Sequence, residues 1–344
     1  MGRALELAGQ GLYGTTPNPR VGCVVVRDGA VVGEGWHEKA GGPHAEVVAL
    51  ARAGGRAAGA TLYLTLEPCN HQGRTPPCTD LVLASGIRRV VAAMLDPNPA
   101  AARGGEKLAA AGVAFEHGLM EEEARELNVG FVSRMTRQRP WVRMKIAATL
   151  DGRTALADGR SQWITGPEAR ADGHRWRARA CAILTGIGTV KADDPRLTVR
   201  EVDTPRQPLR VVVDSRLEIP DRARVLEGSG TLIFCAIEPG RRLNAEVRRL
   251  PDAAGKVDLP GMLEDLARRG INELHVEAGF RLNGSLVREG CVDEFLVYLN
   301  PSLLGEEAQG MVSLPGLSSL EQRLKMKVRS IDRVGDDIRI LARP

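Results

Sequence analysis

Apolar positions along this chain change period repeatedly, from the two-residue alternation of strands to the three-to-four-residue spacing of helices. Residues 3–12 predict a short helix. VGCVVVRDGAVVGEGWH, residues 21–37, predicts two strands joined at Asp28-Gly29, a turn pair that favours hairpins. A helix begins near Ala45 and ends at Gly54-Gly55, where glycine suits a left-handed cap. ATLYLTLEPC is a strand running into a loop, TDLVLASG a helix, RRVVAAML a strand and GGEKLAAAG a helix. This βαβ rhythm implies an α/β fold with parallel strands covered by helices.

MEEEARELNVGFVSRMTRQRP, residues 120–140, predicts one helix, acidic at its start and basic at its end as the helix dipole favours, and Pro140 stops it. The strand WVRMKIAATLDG then begins. A boundary near residue 140 therefore predicts domains at 1–140 and 141–344. Further strands are expected at ACAILTG, LRVVVDS, GTLIFCA, ELHVEAG, DEFLVYLN and IRILARP. Helices are expected at about 167–179, 260–269 and 281–289.

Composition narrows the class. At 344 residues two cores are a better expectation than one, and 43% hydrophobic with 26% charged residues describes an ordinary globular protein. A net charge of +4 is too weak to make nucleic acid the expected partner, although a basic pocket for a phosphorylated small molecule is compatible with it. The N-terminal MGRALELAGQGLYG shows no apolar signal core, and no run reaches membrane-spanning length, so a reducing cytoplasm is expected. In that setting clustered cysteines point to metal or chemistry before disulfides.

The most specific cluster is GPHAEVVAL, with His44 and Glu46, followed by LEPCNHQGRTPPCTD, with Cys69 and Cys78. Catalytic zinc takes three nitrogen or thiolate ligands and leaves a fourth position for water. His44, Cys69 and Cys78 make that set. Both His44 and Cys78 fall where helices should begin, and the dipole there is expected to favour the thiolate of Cys78. Glu46 leaves the same helical turn as His44 and is expected to take a proton from a metal-activated water and pass it to a leaving amine. The pattern is that of zinc deaminases, H-x-E then P-C-x-x-C, except that eight residues separate the two cysteines here. The longer spacing argues against a nucleic acid base deaminase. A binding protein with a closed structural zinc is the other alternative, and it leaves Glu46 without a purpose.

Other residues carry weaker signals. Cys23 alternates with valines and reads as core. His117 and His174 read as surface or capping residues. His71 and Arg74, inside the loop over the proposed metal, suit a grip on a substrate phosphate or a solvated loop. Asn18, between Pro17 and Pro19, suits a hydrogen bond to a pyrimidine or a simple turn. No G-x-G-x-x-G follows a strand with the right spacing: Gly186 and Gly188 start one that Lys191 and Ala192 do not complete. VEAGFRLNGSL offers a strand-to-helix turn at Gly279, with Asn283, Gly284 and Ser285 beyond it, which suits either a pyrophosphate or a plain glycine turn.

TPNPRVGCVVV, GPHAEVVAL, TLEPCNHQGRTPPC and DPNP resemble the deaminase half of the bacterial bifunctional riboflavin biosynthesis family, RibD. KIAATLDGRTA, SQWITG, ADDPRLTVR, VVVDS, VEAG and LLG resemble its reductase half, in family order and across essentially the whole chain. The resemblance implies a cytidine deaminase-like domain followed by a dihydrofolate reductase-like one. It implies zinc-dependent deamination of 2,5-diamino-6-ribosylamino-4(3H)-pyrimidinone 5′-phosphate, then NADPH-dependent reduction of the ribosyl group to ribityl. It assigns Ala147, Trp163, Thr189, Asp193, Ser215 and the stretch Gly279, Phe280, Arg281, Leu282, Asn283, Gly284, Ser285 to NADPH. Ser161, Arg177, Leu197, Arg200 and Glu277 would line the substrate. Read without the resemblance, Trp163 suits ordinary core and Arg177 a solvated surface. Ser215 followed by Arg216 suits a 2′-phosphate or simply a serine after a strand. The expected partner is a phosphorylated pyrimidine, with no nucleic acid and no membrane, and the chain is expected to form a homo-oligomer.

Overall fold

The computed structural model describes residues 1–72 and 76–344. The chain falls into two compact units, Met1–Gln138 and Arg139–Pro344.

The first unit is built on one five-stranded sheet. In chain order it contains α1 (Gly2–Gln10), β1 (Gly22–Arg27), β2 (Ala30–Trp36), α2 (Ala45–Ala53), β3 (Thr61–Leu64), α3 (Cys78–Ala84), β4 (Arg89–Ala92), α4 (Gly104–Ala110), β5 (Ala114–His117), α5 (Glu121–Leu127) and α6 (Val129–Arg137). The strand order is β2-β1-β3-β4-β5. The hairpin β1-β2 turns at Asp28 and Gly29, both with positive φ, and β3, β4 and β5 run parallel. Cys23, Val25, Leu62, Leu64 and Val90 face Ala49, Leu50, Val82 and Leu108 in one core. Two glycines set the spacing around the future site. A Cβ on Gly35 would stand 2.6 Å from the Ala45 carbonyl oxygen, so glycine lets α2 lie close on β2. A Cβ on Gly104 would stand 1.9 Å from the Pro68 carbonyl oxygen, so only glycine lets α4 approach the loop that carries Cys69.

The single helix expected over 120–140 is two helices. They break at Asn128, whose side-chain amide accepts from Arg20 N at 2.7 Å and donates to Arg20 O at 2.9 Å. Asn128 is fully buried, and pairing with a distant backbone outweighs local helical continuity there.

The second unit contains β6 (Trp141–Thr149), β7 (Arg153–Ala155), α7 (Pro167–Arg179), β8 (Ala182–Gly186), α8 (Ile187–Asp193), β9 (Leu209–Val213), β10 (Thr231–Cys235), β11 (Glu246–Arg249), α9 (Leu259–Arg268), β12 (Glu273–Val276), α10 (Phe280–Arg288), β13 (Glu294–Asn300), β14 (Gln309–Gly310), β15 (Lys327–Val334) and β16 (Asp337–Arg343). Nine of these strands form one sheet in the order β11-β10-β9-β8-β12-β6-β13-β16-β15. Strands β11 to β13 of that order are parallel, and the last two add antiparallel. The central strands read as continuous apolar runs because both faces are covered: every residue of β8 and of β10 is buried. Pro167 opens α7, and the Asp258 side chain accepts from Gly261 N at 3.0 Å to cap α9.

Candidate metal centre and nucleotide cleft

In the first unit, the turn into α2 and the turn into α3 bring three ligand atoms to one point. His44 is the N-cap of α2 and Cys78 is the first residue of α3, while Cys69 lies in the loop after β3. His44 Nδ1 is 3.2 Å from Cys78 Sγ and 3.7 Å from Cys69 Sγ, and all three atoms lie within 4.8 Å of one another. A tetrahedral zinc with Zn–S near 2.3 Å and Zn–N near 2.0–2.1 Å needs its ligand atoms roughly 3.5–3.8 Å apart. The donor set and its spacing fit zinc. The loop is held from outside: Asn70 N donates to Ala101 O at 2.9 Å, and the buried Glu67 carboxylate accepts from Gly105 N at 2.9 Å and Asp96 N at 3.1 Å.

At the start of α3 one backbone N–H is taken up by the other cysteine of the cluster. The Cys78 backbone N–H donates to Cys69 Sγ at 3.4 Å, so the free N–H of the helix start serves Cys69 instead. The Cys78 thiol beside Cys69, and then His44, draw the Cys69 thiol well below its usual range. Cys78, keeping the shared proton and buried, is pushed upward. Glu46 is 4% exposed in the first turn of α2. Burial raises its carboxyl, against weaker opposition that includes a hydrogen bond with Cys78. A carboxyl group that holds a proton more readily than usual, in contact with Cys78, suits proton transfer.

Asn18 is oriented by a residue the sequence reading passed over. His37 Nδ1 lies 2.8 Å from the Pro43 carbonyl oxygen, which only accepts, so Nδ1 carries the proton. Its Nε2 then accepts from Asn18 Nδ2 at 3.0 Å. Burial holds the His37 ring below its ordinary pKa, and the ring stands edge-on to His44 at 5.5 Å. Only the position of His37 at the end of a glycine-rich strand hinted at this. Buried His71 Nδ1 has no hydrogen-bond partner among the described residues, and Arg74 lies outside them.

In the second unit the assigned residues come from seven places. Strand β6 carries Ala147, and two residues earlier, on the same face, Lys145. The side chain of Lys145 makes no hydrogen bond among the described residues. Burial lowers its pKa, opposed by Glu277 and aided by Arg177. The sequence signal for Lys145 was a second cation, two residues after Arg143, inside a largely apolar strand. Parallel neighbours β8 and β12 lead into α8 and α10, so both turns open at the same end of the sheet. Gly279, the exposed N-cap of α10, would place a Cβ 3.7 Å from Thr189 Oγ1 on α8. Asp193 accepts from Ser161 Oγ at 3.3 Å and Gln162 Nε2 at 3.4 Å. Trp163, read without the resemblance as core, is 69% exposed, with the Arg170 guanidinium 4.8 Å from its ring centre.

The rest of the Gly279–Ser285 stretch divides by face. Phe280 and Arg281 begin α10, and Leu282 packs on the main core beside Gly186. Asn283 and Gly284 are buried against residues 311–313: Asn283 Nδ2 donates to Met311 O at 3.2 Å, and a Cβ on Gly284 would stand 2.0 Å from Ser313 O. Ser285 Oγ donates to Arg281 O at 3.3 Å. Ser215 Oγ accepts from Val257 N at 3.1 Å, and Arg216 next to it is exposed. An open helix N-terminus beside a hydroxyl and a half-buried carboxylate fits a dinucleotide phosphate and ribose.

Arg177 is not solvated. Its guanidinium forms a two-point pair with Glu277, at 2.5 and 2.7 Å, and donates to Thr198 O at 3.1 Å. Burial alone would raise the Glu277 carboxyl, but Arg177 overrides it and holds the group well below its usual range. Leu197 is buried with φ of 52°, which turns the chain so that Arg200 reaches the exposed rim.

Residues 140–340 match the RibD C-terminal domain family, and residues 1–94 match the cytidine and deoxycytidylate deaminase zinc-binding region. The riboflavin biosynthesis protein RibD of Escherichia coli is 48% identical, aligned over 98% of this chain and 96% of that protein. The chain belongs to the RibD family. RibD of Aquifex aeolicus is 44% identical over 97% of the chain and 95% of that protein. A solved structure of Acinetobacter baumannii RibD superposes with a TM-score of 0.94 at 41% identity, covering 100% of this chain and 97% of that one. A Thermotoga maritima structure described as a diaminohydroxyphosphoribosylaminopyrimidine deaminase/5-amino-6-(5-phosphoribosylamino)uracil reductase gives 0.91 at 36% identity, covering 100% and 97%. As a RibD protein the chain is a bifunctional deaminase and reductase of riboflavin biosynthesis, with a cytidine deaminase-like fold followed by a RibD reductase fold. The family pairs a zinc-binding deaminase with an NADPH-using reductase.

Proposed function

We propose that the chain deaminates 2,5-diamino-6-ribosylamino-4(3H)-pyrimidinone 5′-phosphate at C2 and then reduces the ribosyl group of the product to ribityl. The observation that carries this reading is the convergence of His44, Cys69 and Cys78 around one point, with the Glu46 carboxyl buried against it. His44, Cys69 and Cys78 would hold zinc, which would supply the acidity that activates a water. Glu46 takes the proton of the attacking water and delivers it to the departing amine, so that ammonia leaves. Asn18, its side chain aimed by His37, hydrogen-bonds the pyrimidine, while His71 and Arg74 belong to the loop that grips the substrate.

NADPH, held at the α10 N-terminus and by Ala147, Trp163, Thr189, Asp193 and Ser215, supplies the hydride. Ser161, Arg177, Leu197, Arg200 and Glu277 line the pocket for the phosphorylated ribose. The Arg177–Glu277 pair fixes the floor of that pocket, and the unpaired amine of Lys145 is placed to move a proton during sugar opening. The deaminase comprises residues 1–140 and the reductase 141–344, and the enzyme works in the cytoplasm on a small molecule. No helix among the described residues is long and apolar enough to cross a membrane.

The chain self-associates through strand β15, which pairs on one side only and presents Val328 (57% exposed) and Ile331 (65%), continuing from exposed Leu320, Leu324 and Met326. Sedimentation of Ile331→Lys against wild type tests this, the variant being expected to run as a smaller species.

Incubating purified protein with the diaminopyrimidine phosphate tests the activity. Ammonia and the deaminated phosphate should appear without NADPH, and the ribityl product only with it. Ammonia release from cytosine in DNA, with none from the diaminopyrimidine phosphate, would overturn the reading.

A further inference from the structure

His174 was expected at the surface or at a cap, yet it is 6% exposed on the face of α7 that also carries Arg177. The Arg200 backbone N–H points at its Nδ1 from 3.3 Å. A backbone N–H only donates, so Nδ1 is the acceptor and the proton of the neutral ring lies on Nε2. Nε2 is also 3.4 Å from Arg200 Nη2, and a guanidinium nitrogen only donates as well. Two donors therefore face each other at the rim of the ribose pocket with no acceptor between them. Arg200 forms no ion pair among the described residues, whereas Arg177 close by is matched by Glu277. The charges around His174 are Arg177 on its own helix, Arg200 and Glu201 on the facing segment, and Glu277 just after β12, with Glu201 3.9 Å from Nε2. Burial first, then Arg177 and Arg200, hold the ring near pKa 4, so it stays neutral through the physiological range.

The segment bearing Arg200 is fixed in place. Arg177 donates to Thr198 O, and the Gln207 side chain holds Val199 at both N (2.8 Å) and O (3.1 Å). The donor pair is thus preorganised, and an acceptor with several oxygens that reaches the rim satisfies both. We propose that His174 Nε2–H and the Arg200 guanidinium together bind the 5′-phosphate of the reductase substrate, His174 acting as a neutral donor whose tautomer is set by the Arg200 backbone. The proposal rests on the reading of this unit as a reductase of a phosphorylated ribosylamine.

The side-chain chemistry gives a sharp test on the full-length enzyme. Glutamine also offers one acceptor and one donor, so His174→Gln should keep KM for the deaminated ribosylamino phosphate within about threefold of wild type. His174→Leu has neither group and should raise that KM about ten- to a hundredfold with kcat changed little, the range expected for one charge-assisted hydrogen bond. Arg200→Ala should do the same, and Arg200→Lys should recover part of it because the charge survives without the planar fork. With the dephosphorylated ribosylamino compound, His174→Leu and wild type should match. Inorganic phosphate should inhibit wild type competitively and His174→Leu more weakly. An unchanged KM in His174→Leu, or an equal loss with both substrates, would overturn the proposal, the second because it would reduce His174 to a prop for its loop. A wild type that fails to reduce the intermediate with NADPH would instead sink the reductase reading itself.

Discussion

The metal centre and the nucleotide cleft are built in opposite ways. The first gathers its chemistry from two short stretches, 44–46 at the start of α2 and the loop from Cys69 that leads into α3 at Cys78, and its donor atoms already lie at ligand spacing. The second gathers residues from β6, the segment 161–163, α7, α8, the segment 197–200, the loop after β9 and the turn after β12 into α10. A zinc site needs few groups at short fixed distances, so it compresses into a motif. A cofactor-and-sugar pocket is large, and much of what holds a dinucleotide is backbone N–H at helix ends, which any side chain can accompany. The lesson is that motif density reflects the size of the ligand and not the importance of the site.

The largest effect expected from a single side chain is at the metal centre. Glu46→Gln should retain zinc by metal analysis yet lose about 10²–10⁴-fold in the rate of ammonia release, with reduction untouched. Near-normal turnover would make Glu46 a structural residue and erase the contrast in concentration of chemistry between the two sites.

The cleft stores its electrostatics in a different form. Arg177→Met leaves Glu277 buried with no guanidinium and should destabilise the second unit by about 3–5 kcal/mol in denaturant titrations at neutral pH. The sign of the pH dependence follows from the Glu277 carboxyl being held below its usual range in the wild type. Its contribution is complete above the unfolded value of about 4.3 and fades as pH falls through the folded one. In the variant, burial raises the same carboxyl, so the deficit should be greatest at neutral pH and shrink on acidification. A deficit independent of pH would mean that lost packing, and not the unpaired charge, is responsible.

Much of the fold was legible because the apolar period is strong where elements are buried. Strands β8, β9, β10 and β12, and helices α2 and α7, coincide with their sequence patterns. The strands that were missed are exposed or very short: β5, β11 and β15 bury almost nothing, so they carry little apolar alternation to find, and β7 and β14 span only three and two residues. Helix α8 was hidden because Gly186 at its N-cap and Gly188 in its first turn drew attention as a failed phosphate loop. The break at Asn128 depends on Arg20, more than a hundred residues away, and no local pattern encodes it. At the sites, His44, Glu46, Cys69 and Cys78 were readable from residue chemistry alone. His37, Lys145 and His174 were not, because each acquires its environment from other segments: the Pro43 carbonyl, the Glu277–Arg177 pair and the Arg200 backbone.

A smaller effect concerns cofactor choice. If Ser215 and the exposed Arg216 hold a 2′-phosphate, NADPH should outperform NADH by at least about tenfold in kcat/KM, and Arg216→Ala should narrow the gap. Equal use of both cofactors by the wild type would remove Ser215 from the cofactor site.

The central claim is that two chemistries reside in separate sites, one organised by zinc and one independent of it. It is tested most directly by measuring bound zinc, ammonia release and NADPH oxidation on the same preparations of wild type and Cys78→Ala. The account predicts close to one zinc per chain in wild type. In Cys78→Ala it predicts little or no zinc and no ammonia release, with reduction of the supplied deaminated intermediate at the wild-type rate. Ammonia release that survives the loss of zinc would contradict it.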